Sequence, residues 1–245
     1  MKKINMFIIN GAMATGKTSL IEEIKKHNIT IANSKIHFLD EENFYKFKKE
    51  HYEKIKTSEQ TDNFNFSVQV FLLNNFMNSF SKIINDFVIS DVNEIDIVSD
   101  TFPITTGIIF TTFKRQFNLI SKDEYNTLIN KYDMATKNLF RLLNSRIKIN
   151  SISLNVFHYY RLIEYNFGLF KIKIRSSDEF DFYNGNLDYY KTLNGFINDY
   201  SFSSENIKNI FKPFVDNFEY SLQKINYEED YDIYNKVILE KLYQV

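Results

Sequence analysis

The chain has 245 residues, 44% of them hydrophobic and none of them Cys, which suits one sizeable core and excludes a disulfide framework, thiolate catalysis and a cysteine zinc site. A formal net charge of −1 supplies no global attraction to nucleic acid or to an anionic membrane, so neither is expected as a partner. The apolar run after Met1-Lys2-Lys3 is too short for a signal peptide, and no stretch is long and apolar enough to span a bilayer, so a cytoplasmic location is expected.

With only 6 Gly and 2 Pro, and no internal repeat or low-complexity linker, a single domain over residues 1–245 is the simplest reading. Ile4 to Ile9 has the length and apolar character of a strand. It runs into Gly11-Ala12-Met13-Ala14-Thr15-Gly16-Lys17-Thr18, after which Ser19 to about His27 reads as a helix. Lys35 to Leu39 is a second strand, ending in the acidic cluster Asp40-Glu41-Glu42. A charged helix is expected from Phe44 to Ile55. A long one is expected from Asp62 to about Phe87, where Phe66, Val70, Leu73, Met77, Phe80 and Ile84 keep one apolar face. Gln69 is the polar exception within it. Ile95 to Val98 is a third strand, closed by Ser99-Asp100-Thr101. Helices follow over Ile104–Phe117 and Lys122–Leu143, the second with Ser121 as cap and Glu124 at the capping-box position. Ile152 to Phe157 is a fourth strand, Lys171 to Arg175 a basic stretch, Leu187 to Asp199 a helix, Glu219 to Ile225 a fifth strand and Tyr231 to Tyr243 a closing helix.

Alternating strands and helices predict an α/β fold, a P-loop NTPase-type three-layer sandwich whose five-stranded parallel sheet carries helices on both faces. The glycine-rich stretch is G-x-x-x-x-G-K-T in its required strand–loop–helix setting. Gly11 and Gly16 let the backbone turn so that successive N–H groups face a phosphate, and the helix that follows adds the positive end of its dipole. The residues Gly11, Ala12, Met13, Ala14, Thr15, Gly16, Lys17, Thr18 and Ser19 are therefore the candidate ATP-binding set. Lys17 is placed on the β- and γ-phosphates and the Thr18 hydroxyl on Mg²⁺. In parallel sheets ligands collect at the strands' C-terminal ends. Asp40–Glu42 and Asp100 both sit at such ends, so they are expected to share the cleft with the loop. Asp100 is a candidate to hold Mg²⁺ or its water. Asn130-Lys131-Tyr132-Asp133 matches a guanine-reading Asn-Lys-x-Asp string, but it falls inside a helical pattern and reads as coincidence.

From Ile4 to about Tyr200 the layout resembles the deoxynucleoside kinase family, above all its bacterial deoxyadenosine/deoxyguanosine kinase branch. The P-loop carries the resemblance first. Phe38-Leu39-Asp40-Glu41-Glu42-Asn43 is similar to the family's stretch bearing a catalytic glutamate. Phe66 to Leu73 resembles the helix whose glutamine hydrogen-bonds the nucleobase. Val98-Ser99-Asp100-Thr101 lies where the family has an acidic residue followed by Arg. Asp123 to Thr127 resembles the next helix start, Lys171 to Glu179 the arginine-rich lid and Tyr189 to Tyr200 the helix after it. What this implies is ATP-dependent phosphorylation of the 5′-hydroxyl of a deoxynucleoside, with ATP and Mg²⁺ required and a homodimer as the assembly. The base would be Asp40, Glu41 or Glu42, with Glu41 the best fit. Gln69 would read the nucleobase, and Asp100 and Tyr52 would also face substrate. Arg175, in a lid segment of about residues 168–186, would neutralise phosphoryl charge. Two rivals stand beside this reading: another P-loop small-molecule or nucleoside-monophosphate kinase, and a non-catalytic nucleotide-binding switch. Thr101, standing where the family has Arg, favours the switch; Lys17, Thr18 and the acidic cluster favour an enzyme.

Overall fold

The computed structural model describes residues 2–11, 17–26, 30–31, 34–39, 62–100, 103–146, 149–160 and 217–226, and the single positions 192, 195 and 236. The organising strand is β1 (Lys2–Gly11), which is buried continuously from Ile4 to Asn10. A strand with neither face in water must be central, and near-continuous apolar character is the mark of a sheet covered on both sides. It pairs in parallel with β4 (Glu94–Asp100) on one side and β5 (Ile149–Tyr160) on the other. Beyond β4 lies β3 (Ser34–Leu39), and beyond β5 lies β6 (Asn217–Asn226), both parallel to their neighbours. The expected five-stranded parallel sheet is therefore present. A two-residue strand, β2 (Thr30–Ile31), adds an antiparallel edge to β3; two residues are too few to leave an alternation in the sequence.

Side chains alternate across a strand, and the sheet uses this to define two cores. Ile4, Met6 and Ile8 of β1 join Ile95 and Ile97 of β4 and Ile152, Leu154 and Val156 of β5 on one face. That face is covered by α2 (Asp62–Ile89), α3 (Pro103–Gln116) and α4 (Lys122–Arg146), through residues such as Leu73, Phe80, Ile109, Phe113 and Leu128. Phe7 and Ile9, with Val98 and Phe157, face the other way and meet Leu20, Ile21 and Ile24 of α1 (Lys17–Lys26). The result is helix, sheet, helix: the three layers expected.

Polar ties at the N-terminal ends of the strands hold the β1–β4 register. Asn5 Nδ2 donates to Glu94 Oε1 and Asp96 Oδ1, each at 2.8 Å. Lys3 pairs with Glu94 at 2.9 Å. Lys2 Nζ donates to the carbonyls of Phe87 and Ser90, placing a cation at the C-terminal end of α2, where the helix dipole favours one. A one-residue slip would exchange the two faces of β1 and undo both cores.

The α3–α4 corner is equally determined. Leu119 N–H donates to the Lys114 carbonyl at 2.8 Å and Asn118 N–H to that of Arg115 at 3.2 Å, the paired bonds of a Schellman cap, with Asn118 at φ 54°. The next helix starts with the expected capping box: Ser121 N–H donates to Glu124 Oε2 at 2.7 Å and Glu124 N–H to Ser121 Oγ at 3.2 Å. The Asn130–Asp133 string lies inside α4, where Tyr132 is buried and Asp133 pairs with Lys137 at 2.6 Å. Thr192 and Gly195, and Lys236, are helical as expected. The rest of those two helices, the Phe44–Ile55 helix and the basic stretch lie outside the described residues. Among the described residues no helix is long and apolar enough to cross a membrane.

Candidate functional site

Gly11 ends β1 with φ 140°, a backbone state that L side chains rarely adopt and glycine takes without strain. It is the point where the chain leaves the sheet. Ala12 to Gly16 lie outside the described residues, and the chain re-enters the described structure at Lys17, the first residue of α1. Lys17 is half-buried and Ser19 exposed; Thr18 is the helix's second residue. Leu20, Ile21 and Ile24 clamp α1 to the sheet, so its N-terminus, the positive end of the helix dipole, is held on the sheet face that α1 covers.

Asp100 is the last residue of β4 and is buried, at 9% exposure. It stands opposite Ile9 in the register. Alternation puts it on the same sheet face as Val98 and Ile9, the face that α1 covers. The carboxylate and the start of α1 thus belong to one face at one end of the sheet. β3 ends at Leu39 beside Ser99. Asp40, Glu41, Glu42, Tyr52, Arg175 and the lid of about 168–186 lie outside the described residues. Among the described residues no group of three or more His, Cys, Asp or Glu could hold a metal by itself. Asp100 is a buried carboxylate on the sheet face that α1 covers, and Mg²⁺ is commonly held by one or two carboxylates together with substrate phosphates rather than by an all-protein cage.

Gln69 lies in the other helical layer. It falls on the apolar stripe of α2, three residues after Phe66 and four before Leu73, and is only 4% exposed. Such a position demands a partner for its carboxamide. Tyr132 of α4, 1% exposed, supplies it: its hydroxyl donates to Gln69 Oε1 at 3.0 Å and lies 3.5 Å from the Gln69 backbone oxygen. The phenol reaches Gln69 by crossing α3 at Gly107. A Cβ there would stand 2.2–2.4 Å from the Tyr132 ring and hydroxyl, so only glycine lets the ring pass. Thr111, one turn further along α3, is fully buried, and its Oγ1 has no formed hydrogen bond. Burial pushes the Tyr132 phenol well above its ordinary range, and the neighbouring Thr111 hydroxyl opposes that push. Lys114, on the same face two turns beyond Gly107, is 7% exposed, and burial lowers its amine to about 8.

The sequence reading singled out Gln69 and missed Gly107, Thr111, Tyr132 and Lys114. One signal was available. A glycine inside a helix costs stability relative to Ala, and in a chain with 6 glycines Gly107 asks for a close approach. Which side chain approaches it is set by packing between helices.

The parallel sheet, the glycine that ends its central strand and the helices on both faces define a P-loop NTPase-type kinase fold. No protein-family model and no curated protein matches the chain. Solved structures do. A deoxyadenosine kinase from M. mycoides with the products dCMP and a flexible dCDP bound is 19% identical, with a TM-score of 0.53, over 98% of this chain and 100% of that one. A structure of deoxyadenosine kinase from M. mycoides with bound dATP is 20% identical, with a TM-score of 0.54, over 97% of this chain and 98% of that one. The resemblance expected from the sequence therefore holds at the level of the fold and over nearly the whole chain.

Proposed function

We propose that the chain is a nucleoside kinase that transfers the γ-phosphate of ATP to the 5′-hydroxyl of a deoxynucleoside. The observation that carries this reading is the convergence of the Gly11 turn, the start of α1 and buried Asp100 on one sheet face. The full-length likeness to deoxyadenosine kinase structures supports the choice of acceptor.

In this mechanism the loop amides from Gly11 to Gly16 and the N-terminus of α1 cradle the donor phosphates, and Lys17 pairs with the β- and γ-oxygens. Thr18 and Asp100 would hold Mg²⁺, whose charge offsets that of the phosphates. Glu41, or its neighbours Asp40 or Glu42, accepts the proton of the 5′-hydroxyl as that oxygen bonds to the γ-phosphorus. The bond from the γ-phosphorus to the bridging oxygen breaks and ADP leaves. Arg175 neutralises charge on the transferring group. Gln69 faces the nucleobase and Tyr52 the sugar.

The deciding experiment incubates the protein with ATP, Mg²⁺ and a panel of deoxy- and ribonucleosides, following ADP and nucleoside 5′-monophosphate by chromatography. Conversion of at least one deoxynucleoside, dependent on ATP, is expected. ATP binding with no nucleoside consumed would put the nucleotide-switch reading in its place.

A further inference from the structure

The carboxyl edge of the sheet is chemically lopsided on the face that α1 covers. Residues two apart on a strand share a face. Ile9 and Phe157 belong to the core beneath α1, and Gly11 and Tyr159 follow them by two residues, directly opposite each other in the β1–β5 register. Ile225 of β6 stands next in that row, opposite Tyr159, and belongs to the same core, fully buried. On the other side of β1, buried Asp100 ends β4 opposite Ile9. From β4 to β6 this end of the face therefore carries an acid, a position without a side chain, an aromatic residue and an aliphatic one. Neighbouring strands lie about 4.8 Å apart, so the strands of Asp100 and Tyr159 are separated by about 10 Å with Gly11 between them.

A nucleoside triphosphate is lopsided in the same way. Its phosphate chain needs backbone amides and a cation, and its flat base gains from contact with apolar and aromatic groups. With the phosphates over Gly11 and their Mg²⁺ toward Asp100, the base falls on the β5 side. The reverse placement would set phosphate charge against Tyr159 and Ile225, where nothing in the row offsets it, and desolvated charge without a partner is costly.

We propose that Tyr159 is the platform on which the donor's nucleobase stacks, so that the α1 face orients the donor from Asp100 on β4 to Tyr159 on β5. This rests on the phosphate site proposed above and adds to it the residue that meets the donor's base. Every base has a π-face, so a stacking platform holds the donor by its aromatic character and reads no particular hydrogen-bonding edge.

The chain contains no Trp, so Tyr159→Trp makes one indole the sole reporter and keeps a stacking surface. ATP with Mg²⁺ is expected to quench its fluorescence saturably. Inorganic tripolyphosphate, a phosphate chain without a base, should displace ATP and leave the emission of the otherwise unliganded protein unchanged. Phe117→Trp, at the exposed corner between α3 and α4, serves as the control; an equal quench at both positions is not stacking and overturns the proposal. Tyr159→Leu removes the ring. Its dissociation constant for ATP, measured by equilibrium dialysis, is expected to rise about 10-fold or more, the usual scale for losing one base–aromatic stack, with that for tripolyphosphate unchanged. A purely structural role would weaken both ligands equally, and that result sinks the proposal, as does saturable ATP binding with the indole unmoved. Where circular dichroism shows Tyr159→Leu unfolded, the indole reporter decides. If the wild-type chain binds neither ATP nor tripolyphosphate, the phosphate site has failed and this proposal falls with it. ATP binding without turnover of any nucleoside overturns the kinase reading alone, and the comparison of ATP with tripolyphosphate still decides this one.

Discussion

The proposed phosphate side of the site lies within one short stretch, Gly11 to Ser19, with Asp100 as the residue contributed by another strand. The proposed base side is assembled from Gln69 of α2, Gly107 of α3 and Tyr132 of α4. The first side needs a turn, a helix start and a cation, all supplied by neighbours along the chain. The second needs three helices packed to within a hydrogen bond of one another, and its polar atoms are embedded in the hydrophobic core. Substitutions on the phosphate side should therefore change chemistry and leave stability alone, whereas those on the base side should change both together.

The sharpest break in that comparison is Lys17→Ala. Lys17 acts on phosphate charge and is not among the buried core residues. Turnover is expected to fall by about 10³-fold or more, as loss of electrostatic stabilisation of the transferring group does. Circular dichroism and melting temperature should be those of wild type; a large drop in melting temperature would erase the contrast between the two sides. Gln69→Ala comes next. Losing its contact to a base should raise KM for the nucleoside by the equivalent of roughly 1–3 kcal/mol, with KM for ATP unchanged. The same change strips Tyr132 of its acceptor, so the melting temperature should fall as well, unlike that of Lys17→Ala. Equal rises in both KM values would show a packing role only.

Gly107→Ala sharpens the structural half. The added Cβ meets the Tyr132 ring at 2.2–2.4 Å, and forcing that ring aside should cost about 1–3 kcal/mol, the usual range for overpacking a core. Chemical denaturation measures it. Combining Gly107→Ala with Tyr132→Leu should cost less than the two single changes added together, because the clash is shared; strict additivity would mean the ring does not rest on Gly107. The smallest effect is expected from Lys114→Met. The folded-state amine is lowered to about 8 from 10.5 by burial. The unfolded chain therefore holds its proton up to about 10.5 while the folded chain releases it near 8, and wild-type stability should rise with pH between those values. The variant should melt a few degrees above wild type at pH 7, with the gap closing as pH rises through that window. A gap independent of pH would mean that burial of the charge is not what costs stability.

Much of the fold was written in local pattern. The apolar runs at Ile4–Ile9, Ile95–Val98 and Ile152–Phe157 mark β1, β4 and β5, and the 3.6-residue stripe from Phe66 to Ile84 marks α2, because burial on a strand and on a helix leaves different periods in the sequence. The ends of the elements extended past those runs, to Tyr160 in β5 and Ile89 in α2, since a backbone ladder can continue after the apolar signal stops. The two-residue β2 left no signal at all.

What the sequence by itself determined is carried by near neighbours: the glycine that ends β1, the helix start at Lys17, the Ser121–Glu124 capping box and the choice of a parallel α/β sheet. These depend on backbone geometry within a few residues, which residue types dictate directly. Only the tertiary structure decided that Asp100 shares a sheet face with α1, that Tyr132 rather than another of the 16 tyrosines meets Gln69, and that Gly107 is the gap through which it does so. Gln69 and Tyr132 are 63 residues apart. Their meeting follows from how α2, α3 and α4 pack on the sheet, a compromise among many weak apolar contacts that no short stretch of sequence records.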